Sequence, residues 1–427
     1  MQRRHDIDAL RVIAFGLLIF YHAGMAYVAE WDFHIKSAYL AEWLQWPMIA
    51  INRWRMPLLF VVSGVAIGLF LQPGRSRGRF LASRSWRLLL PLAFGMLFVV
   101  PVQAWCEAVA NGAWDTGFGS FLRRYLHLQP WPEGGWTGAS HGVTWNHLWY
   151  LAYLWAYTCV LALLLPLLES AAARRLRAWL PSPKGAWWVV GLAVVPVLYF
   201  FALLAWLAPL FPKTGALVDD WYQHAQYFPL FLAGCLVARN ASAWTGLVRV
   251  RCLTLCIALA AISVELLLRA AGRHLPPGDV PAVLAQLPWH HIELAARALY
   301  MWTALLAIFG WARQLLDRPF RWLPYATEAV YPWYVLHQSL IVPLVFVLAP
   351  LQLGPVLEPV LVLAGTVAGC VLLHEFVIRR VALLRPLFGL KRQDPSRATP
   401  TIAMEATCSR STPTSGSSLS ARPSSPG

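Results

Sequence analysis

Apolar residues in this chain come in runs of roughly 20, each long enough to cross a hydrocarbon core of about 30 Å. Short polar and basic segments separate them. The pattern predicts about ten membrane helices, at Ala9–Ala29, Trp54–Leu71, Leu88–Trp105, His147–Leu168, Trp187–Leu210, Tyr222–Ala238, Cys252–Leu268, Leu294–Trp311, Ala329–Ala349 and Pro359–Val377. Helix is the expected form in each, because unpaired backbone groups cannot face lipid. The fold class is therefore an all-α, polytopic membrane helix bundle. The sixth run is the most polar, with Gln223, His224, Gln226 and Pro229 in its first half. The longest connection, Cys106–Asn146, is rich in Trp, Gly and Pro, and Trp131–Trp136 reads as a structured lip over the outer mouth. Residues 1–392 form one membrane domain in this reading. Residues 393–427, rich in Ser, Thr and Pro and without apolar pattern, are expected to be a disordered cytoplasmic tail.

Composition supports the membrane assignment: 58% of residues are hydrophobic and 13% charged, against about 25% charged in soluble proteins. The net charge of +15 invites a nucleic-acid reading, but the distribution of charge argues against one. Lys and Arg crowd the connections on one side of the predicted bundle, in segments 3–4, 75–87, 174–184, 239–251, 313–321 and 379–392. The other side holds Lys36, Arg53, Arg55, Arg123, Arg124, Lys213 and Arg273. Positive charge accumulates on the cytoplasmic side of membrane proteins, so both termini are expected there. The cysteines are scattered, with Cys159, Cys235, Cys256 and Cys370 inside apolar runs, and their spacing suggests neither a zinc site nor a disulfide framework.

An ionisable group inside a membrane helix is costly and usually functional. The first run carries Asp8, Arg11 and His22. Eleven residues are three helical turns plus about 20°, so Arg11 and His22 share a face, with His22 roughly 16 Å further along. Asp8 sits one turn before Arg11 and can pair with it. The stripe offers an inner charge pair and an outer imidazole able to act as a general base. The plainer alternative is an arginine that snorkels and a histidine that bonds a neighbouring helix. Arg84 and Arg87 stand one turn apart at the entrance to the third run, where guanidinium groups can grip phosphates; Arg75, Arg77 and Arg79 fit topology alone. Arg55, Ser63, His147 and His337 are further polar positions that suit substrate contact or support, His337 lying deep in its run. His290-His291-x-Glu293 has the residue types of a metal cluster, but its spacing is unspecific, and no metal is assigned.

Several ordered blocks resemble the acyltransferase 3 family of membrane enzymes. Asp8-Ala9-Leu10-Arg11 followed by Phe20-Tyr21-His22 is similar to the family's first-helix signature, and Arg55–Gly64 to its second-helix block. Arg84 to Pro91 stands where the family carries an arginine motif, with R-x-x-R here in place of R-x-R. Asn146–Leu151 and Ala329–His337 resemble later blocks. The first of these, with the basic segment His374–Lys391, is nearest to the glucan biosynthesis protein C branch of the family. The resemblance implies an acyl-CoA co-substrate on the cytoplasmic side, no permanently bound cofactor, and transfer to a glycan hydroxyl at the outer face of a bacterial inner membrane. By motif match it makes His22 the base, with Asp8 and Arg11 in support and Arg84 and Arg87 gripping the coenzyme. The acyl group would be succinyl or acetyl. A transporter or flippase for a saccharide or lipid-linked saccharide would also place charges inside the membrane. No Walker loop is present for an ATPase.

Overall fold

The computed structural model describes residues 3–71, 76–171, 175, 190–274 and 286–391. The tail, the first residues of the fifth run, and Arg75, Arg174, Arg177, Lys184 and Arg392 lie outside the described residues. The described compact unit ends at Lys391. It is built of helices α1 (His5–Met25), α2 (Gln45–Phe70), α3 (Arg77–Phe94), α4 (Pro101–Ala110), α5 (Phe118–Tyr125), α6 (Trp149–Leu168), α7 (Val195–Leu210), α8 (Trp221–Val237), α9 (Ala241–His274), α10 (Trp289–Leu315), α11 (Leu323–Leu348), α12 (Leu357–Leu372) and the short α13 (Leu384–Leu387). No strand occurs among the described residues. Eight spans there are long and apolar enough to cross a membrane, α3 and α4 counting as one; α7 and α8 are the two shorter helices where the fifth and sixth runs fall. Large apolar side chains such as Leu163, Trp206, Leu210 and Leu267 face outward, as a lipid-exposed surface requires.

Three helix starts lie nine or more residues before the hydropathy reading: those of α2, of α3 and of α9, which opens at Ala241 and takes in Arg249 and Arg251. α2 begins nine residues before Trp54, so Arg53 joins Arg55 within the helix and does not precede it. The helix can extend because Glu265 of α9 meets Arg53, removing the cost of a lone charge. α3 begins at Arg77, capped by Ser76, so Arg84 and Arg87 lie within it and not at its mouth. The third run is also not one straight helix. A π turn at Gly95–Val99 ends on Pro101, which has no N–H to continue the ladder.

Gly64 and Gly68 lie one turn apart on α2, and α8 packs directly on them. A Cβ at Gly64 would collide with the carbonyl of Phe231, and one at Gly68 with that of Cys235. This is small-residue packing of membrane helices, where van der Waals contact replaces the hydrophobic drive lost in lipid. Gly64→Val is expected to lower stability by more than about 2 kcal/mol through overpacking, read as a drop in the melting midpoint in detergent. Gly16→Ala, which meets nothing within 4 Å, should leave the midpoint unchanged.

Candidate functional site

α1, α2, α3, α6 and α11 surround a cavity of about 370 Å³ near the N-terminal end of α1. Arg11, Arg84, Arg87, Arg385 and Lys391 line it, with Glu328 as the carboxylate among them. Asp8 takes Arg11 at 3.5 Å and Arg3 at 2.9 Å, as the one-turn spacing on α1 predicts. Glu328 is shared between Arg379 at 3.3 Å and Arg385 at 3.8 Å. The Nε atoms of Arg11 and Arg84 are buried without a hydrogen-bond partner among the described residues. Unpaired donors of this kind fit an anion, since a buried unmet charge is expensive. The segment after α13 forms one wall. Arg385 is tied to the carbonyls of Arg379 (3.2 Å) and Lys391 (3.0 Å), and Gly389, at φ 75°, lies against the Tyr331 ring where a side chain would not fit.

The far end of this cavity is closed by three rings. Phe15 packs edge-on against Tyr334 (5.1 Å between centroids) and Tyr150 (6.1 Å), and the two tyrosines are 6.2 Å apart. Ser63 bonds the Tyr150 hydroxyl at 2.5 Å. Beyond the rings, His22 Nδ1 and His337 Nε2 lie 2.8 Å apart in nearly parallel rings. Their proton positions follow from the neighbours. His337 Nδ1 faces the carbonyl oxygens of Tyr334 (2.7 Å) and Trp333 (3.2 Å). Carbonyls only accept, so Nδ1 carries the proton and Nε2 of the neutral ring keeps the lone pair. That lone pair accepts from His22 Nδ1–H, which leaves the free lone pair of His22 on Nε2. His22 is half-buried.

A polar network extends from this dyad to the connections at the opposite end. The His147 ring stands 5.0 Å from that of His337, donates from Nε2 to the Val335 carbonyl (3.2 Å) and accepts at Nδ1 from Gln103 (3.4 Å). Tyr334 donates to the His147 carbonyl at 2.7 Å. Gln338 donates to Gln103 Oε1 (3.2 Å) and to His34 Nε2 (2.9 Å). His34 in turn meets Glu107 at 2.5 Å, and Glu107 accepts from the backbone and hydroxyl of Thr137. The loop that carries His34 is fastened by Lys36, whose ammonium caps the end of α1 on the carbonyls of Met25, Val28 and Trp31. Burial pushes the Lys36 pKa below the ordinary lysine range. The expected lip is a packed aromatic cluster in which Trp131 and Trp136 are buried against Phe121 and Tyr125.

The sequence candidates thus fall on one axis. Arg84, Arg87, Arg11 and Ser63 line the cavity, Asp8 braces Arg11, and His22, His337 and His147 cluster past the rings. Arg55 stands to one side, its guanidinium 3.4 Å over the Tyr21 ring. The predicted set lacks Tyr150, Tyr334, Gln103, His34 and Glu107. It also lacks Arg385 and Lys391, whose charge reads as topology. Glu293 of the His290 cluster pairs with Arg269. Gly138-Ala139-Ser140-His141-Gly142 has the G-x-S-x-G spacing of serine hydrolases, and Ser140 is 3.2 Å from His141 Nδ1. It is a 3₁₀ turn on an exposed loop, not the strand-to-helix elbow that such a nucleophile needs.

Fold and site together define an integral membrane protein with its ionisable groups gathered along an interior path. The chain belongs to the acyltransferase 3 family, whose acyltransferase domain it matches over residues 4–375. It is a membrane O-acyltransferase. No curated protein and no solved structure matches it.

Proposed function

We propose that the protein transfers a succinyl or acetyl group from cytoplasmic acyl-CoA to a hydroxyl of a periplasmic or extracellular glycan. It would do so in a bacterial inner membrane, with both termini cytoplasmic. The observation that carries this reading is the alignment of a five-cation cavity with an imidazole whose free lone pair lies just past its closed end. The coenzyme phosphates sit among Arg84, Arg87, Arg11, Arg385 and Lys391, where guanidinium forks match phosphate oxygens. The thioester must pass Phe15, Tyr150 and Tyr334 to reach His22, so acyl-CoA binding displaces at least one of these rings. His22 Nε2 takes the proton of the acceptor hydroxyl as its oxygen attacks the thioester carbonyl. The C–S bond then breaks, and the coenzyme thiolate leaves and recovers the proton from His22. His337 acts through His22, holding its tautomer as second-layer partners hold metal-bound imidazoles. Likeness of the Asn146–Leu151 block to the glucan biosynthesis branch supports succinyl transfer to a glucan.

The test is a sided one. Protein is reconstituted in vesicles of known orientation, with labelled succinyl-CoA or acetyl-CoA on one face and a soluble glucan on the other. Product is expected when donor faces the Arg84 end and acceptor the Glu107 end. Product formed only when both reactants share one face would overturn the proposal. His337→Ala is expected to slow transfer roughly 10- to 100-fold, the usual cost of losing a partner that orients a functional imidazole. His337→Gln, whose amide oxygen can accept the same His22 bond, should retain more activity than Ala; equal losses would leave His337 as packing only.

A further inference from the structure

A second group of cations lies at the Glu107 end of the bundle. Arg53 of α2, Arg297 of α10 and Lys213 of the 211–220 connection line a narrow slot with Asn52, Gln226 and Tyr222. Membrane topology does not account for them. Positive charge is drawn to the opposite side, and a cation held within a span is retained for a purpose or a partner. Partners are scarce. Glu265 bonds Arg53 at 2.8 Å and is already shared with Arg269 at 3.5 Å. The Oδ2 of Asp220, the next carboxylate, is taken by the Tyr153 hydroxyl, by Gln223 and by the backbone N–H of Gly215; Asp220 Oδ1 and Glu265 Oε2 have no hydrogen bond among the described residues and form no ion pair with Arg297 or Lys213. Arg297 and Lys213 make no ion pair among the described residues.

Arg55 lies two residues further along α2 and is only 9% exposed. Its Nε and Nη1 are buried without a hydrogen bond among the described residues, and its guanidinium covers Tyr21, the neighbour of His22. The excess positive charge therefore borders the segment that carries the imidazole dyad. The slot has about 20 Å³ of open space. That is room for one or two oxygen-sized groups and not for a sugar ring, since one water needs roughly 10–15 Å³ on the same measure, so a bound oxyanion enters with only part of its oxygens in the slot.

The geometry points to a binding site for a phosphate-class oxyanion on the acceptor, held by Arg53, Arg297 and Lys213. The Arg297 fork, the Arg53 Nη1 that Glu265 leaves unbonded and the Lys213 ammonium match the oxygens of such a group. A water-poor cleft lined by one sign of charge also concentrates anions. The role as acceptor anchor rests on the acyl-transfer reading; the oxyanion site itself does not. Two sources share this chemistry: a phosphate on a soluble glycan, and the phosphate of a polyprenyl carrier lipid within the membrane.

The experiment uses the full chain in dodecyl maltoside at constant ionic strength, with saturating coenzyme A to occupy the other cavity. Thermal unfolding midpoints are recorded against inorganic phosphate and against decaprenyl phosphate. Either probe is expected to raise the midpoint, and Arg297→Gln should weaken the effect roughly 10- to 100-fold, the value of one charge-assisted hydrogen bond. Lys213→Gln, in a connection and not a span, provides the second variant should Arg297→Gln fold poorly. A response to decaprenyl phosphate at far lower concentration than to inorganic phosphate identifies a lipid-linked acceptor; comparable responses identify a soluble one. No midpoint rise from either probe, or an equal rise in wild type and both variants, overturns the site. If coenzyme A alone gives no rise while the phosphate effect persists, the acyl-CoA reading fails and the oxyanion site stands.

Discussion

His22→Ala is expected to cut acyl transfer about 10²- to 10⁴-fold, the usual worth of a positioned general base, while leaving acyl-CoA affinity unchanged. The split is what separates catalysis from architecture. His22 lies past the Phe15, Tyr150 and Tyr334 rings from the cation-lined cavity, so its removal cannot loosen the phosphate contacts directly. Losing only a step made in the transition state lowers kcat and kcat/KM together. Labelled acyl-CoA turnover and equilibrium coenzyme binding, measured on the same preparation, decide it. Turnover equal to wild type would remove His22 from the chemistry. Transfer by the intact protein should also fall as pH drops through the titration of His22, because an imidazolium has no lone pair with which to accept the hydroxyl proton.

Arg84→Ala is expected to weaken acyl-CoA binding roughly 10- to 100-fold, as the loss of a charge-assisted contact does. Arg77→Ala should change it little. Both arginines belong to α3 and both obey the same topological bias, but Arg84 lines the cavity with an unpartnered buried Nε, while Arg77 is exposed at the first turn. The comparison holds net charge constant between the variants, so any difference reports position. Equilibrium binding of coenzyme A is the measurement. Identical affinities in the two variants would reduce the whole cluster to topology.

What could be read from the chain alone was what depends on local spacing. Asp8, Arg11 and His22 belong to one helix, and 3.6 residues per turn places them on one stripe whatever surrounds them. Arg84 and Arg87 likewise share a turn. His337 drew attention as a histidine deep in an apolar run. Its bond to His22 was not legible, since it joins residues 315 positions apart. Glu107 and His34 were hidden for another reason. Glu107 sits in the last turn of α4 and His34 in the loop after α1, where polar residues are ordinary, and only packing converts them into a buried pair. Arg385 and Lys391 were masked by a rule that was otherwise useful: basic residues near a span end satisfy the charge bias and so carry no separate signal. The early start of α2 was missed because hydropathy treats Arg53 as a stop, whereas Glu265 supplies its counter-charge from a helix more than 200 residues away.

The layer formed by Phe15, Tyr150 and Tyr334 has a consequence for the cell. In the proposed reaction, a bundle that takes a charged donor from one face and a hydroxyl acceptor from the other stands one side-chain layer short of a channel. Ring centroids 5.1 to 6.2 Å apart put the three side chains edge to face in one layer. Moving one elementary charge down a potential of 100 mV releases about 2.3 kcal/mol. Three aromatic side chains therefore stand between the membrane's stored ion gradient and the cavity that the proposed donor enters, and the proposed turnover must shift one of them without opening that path.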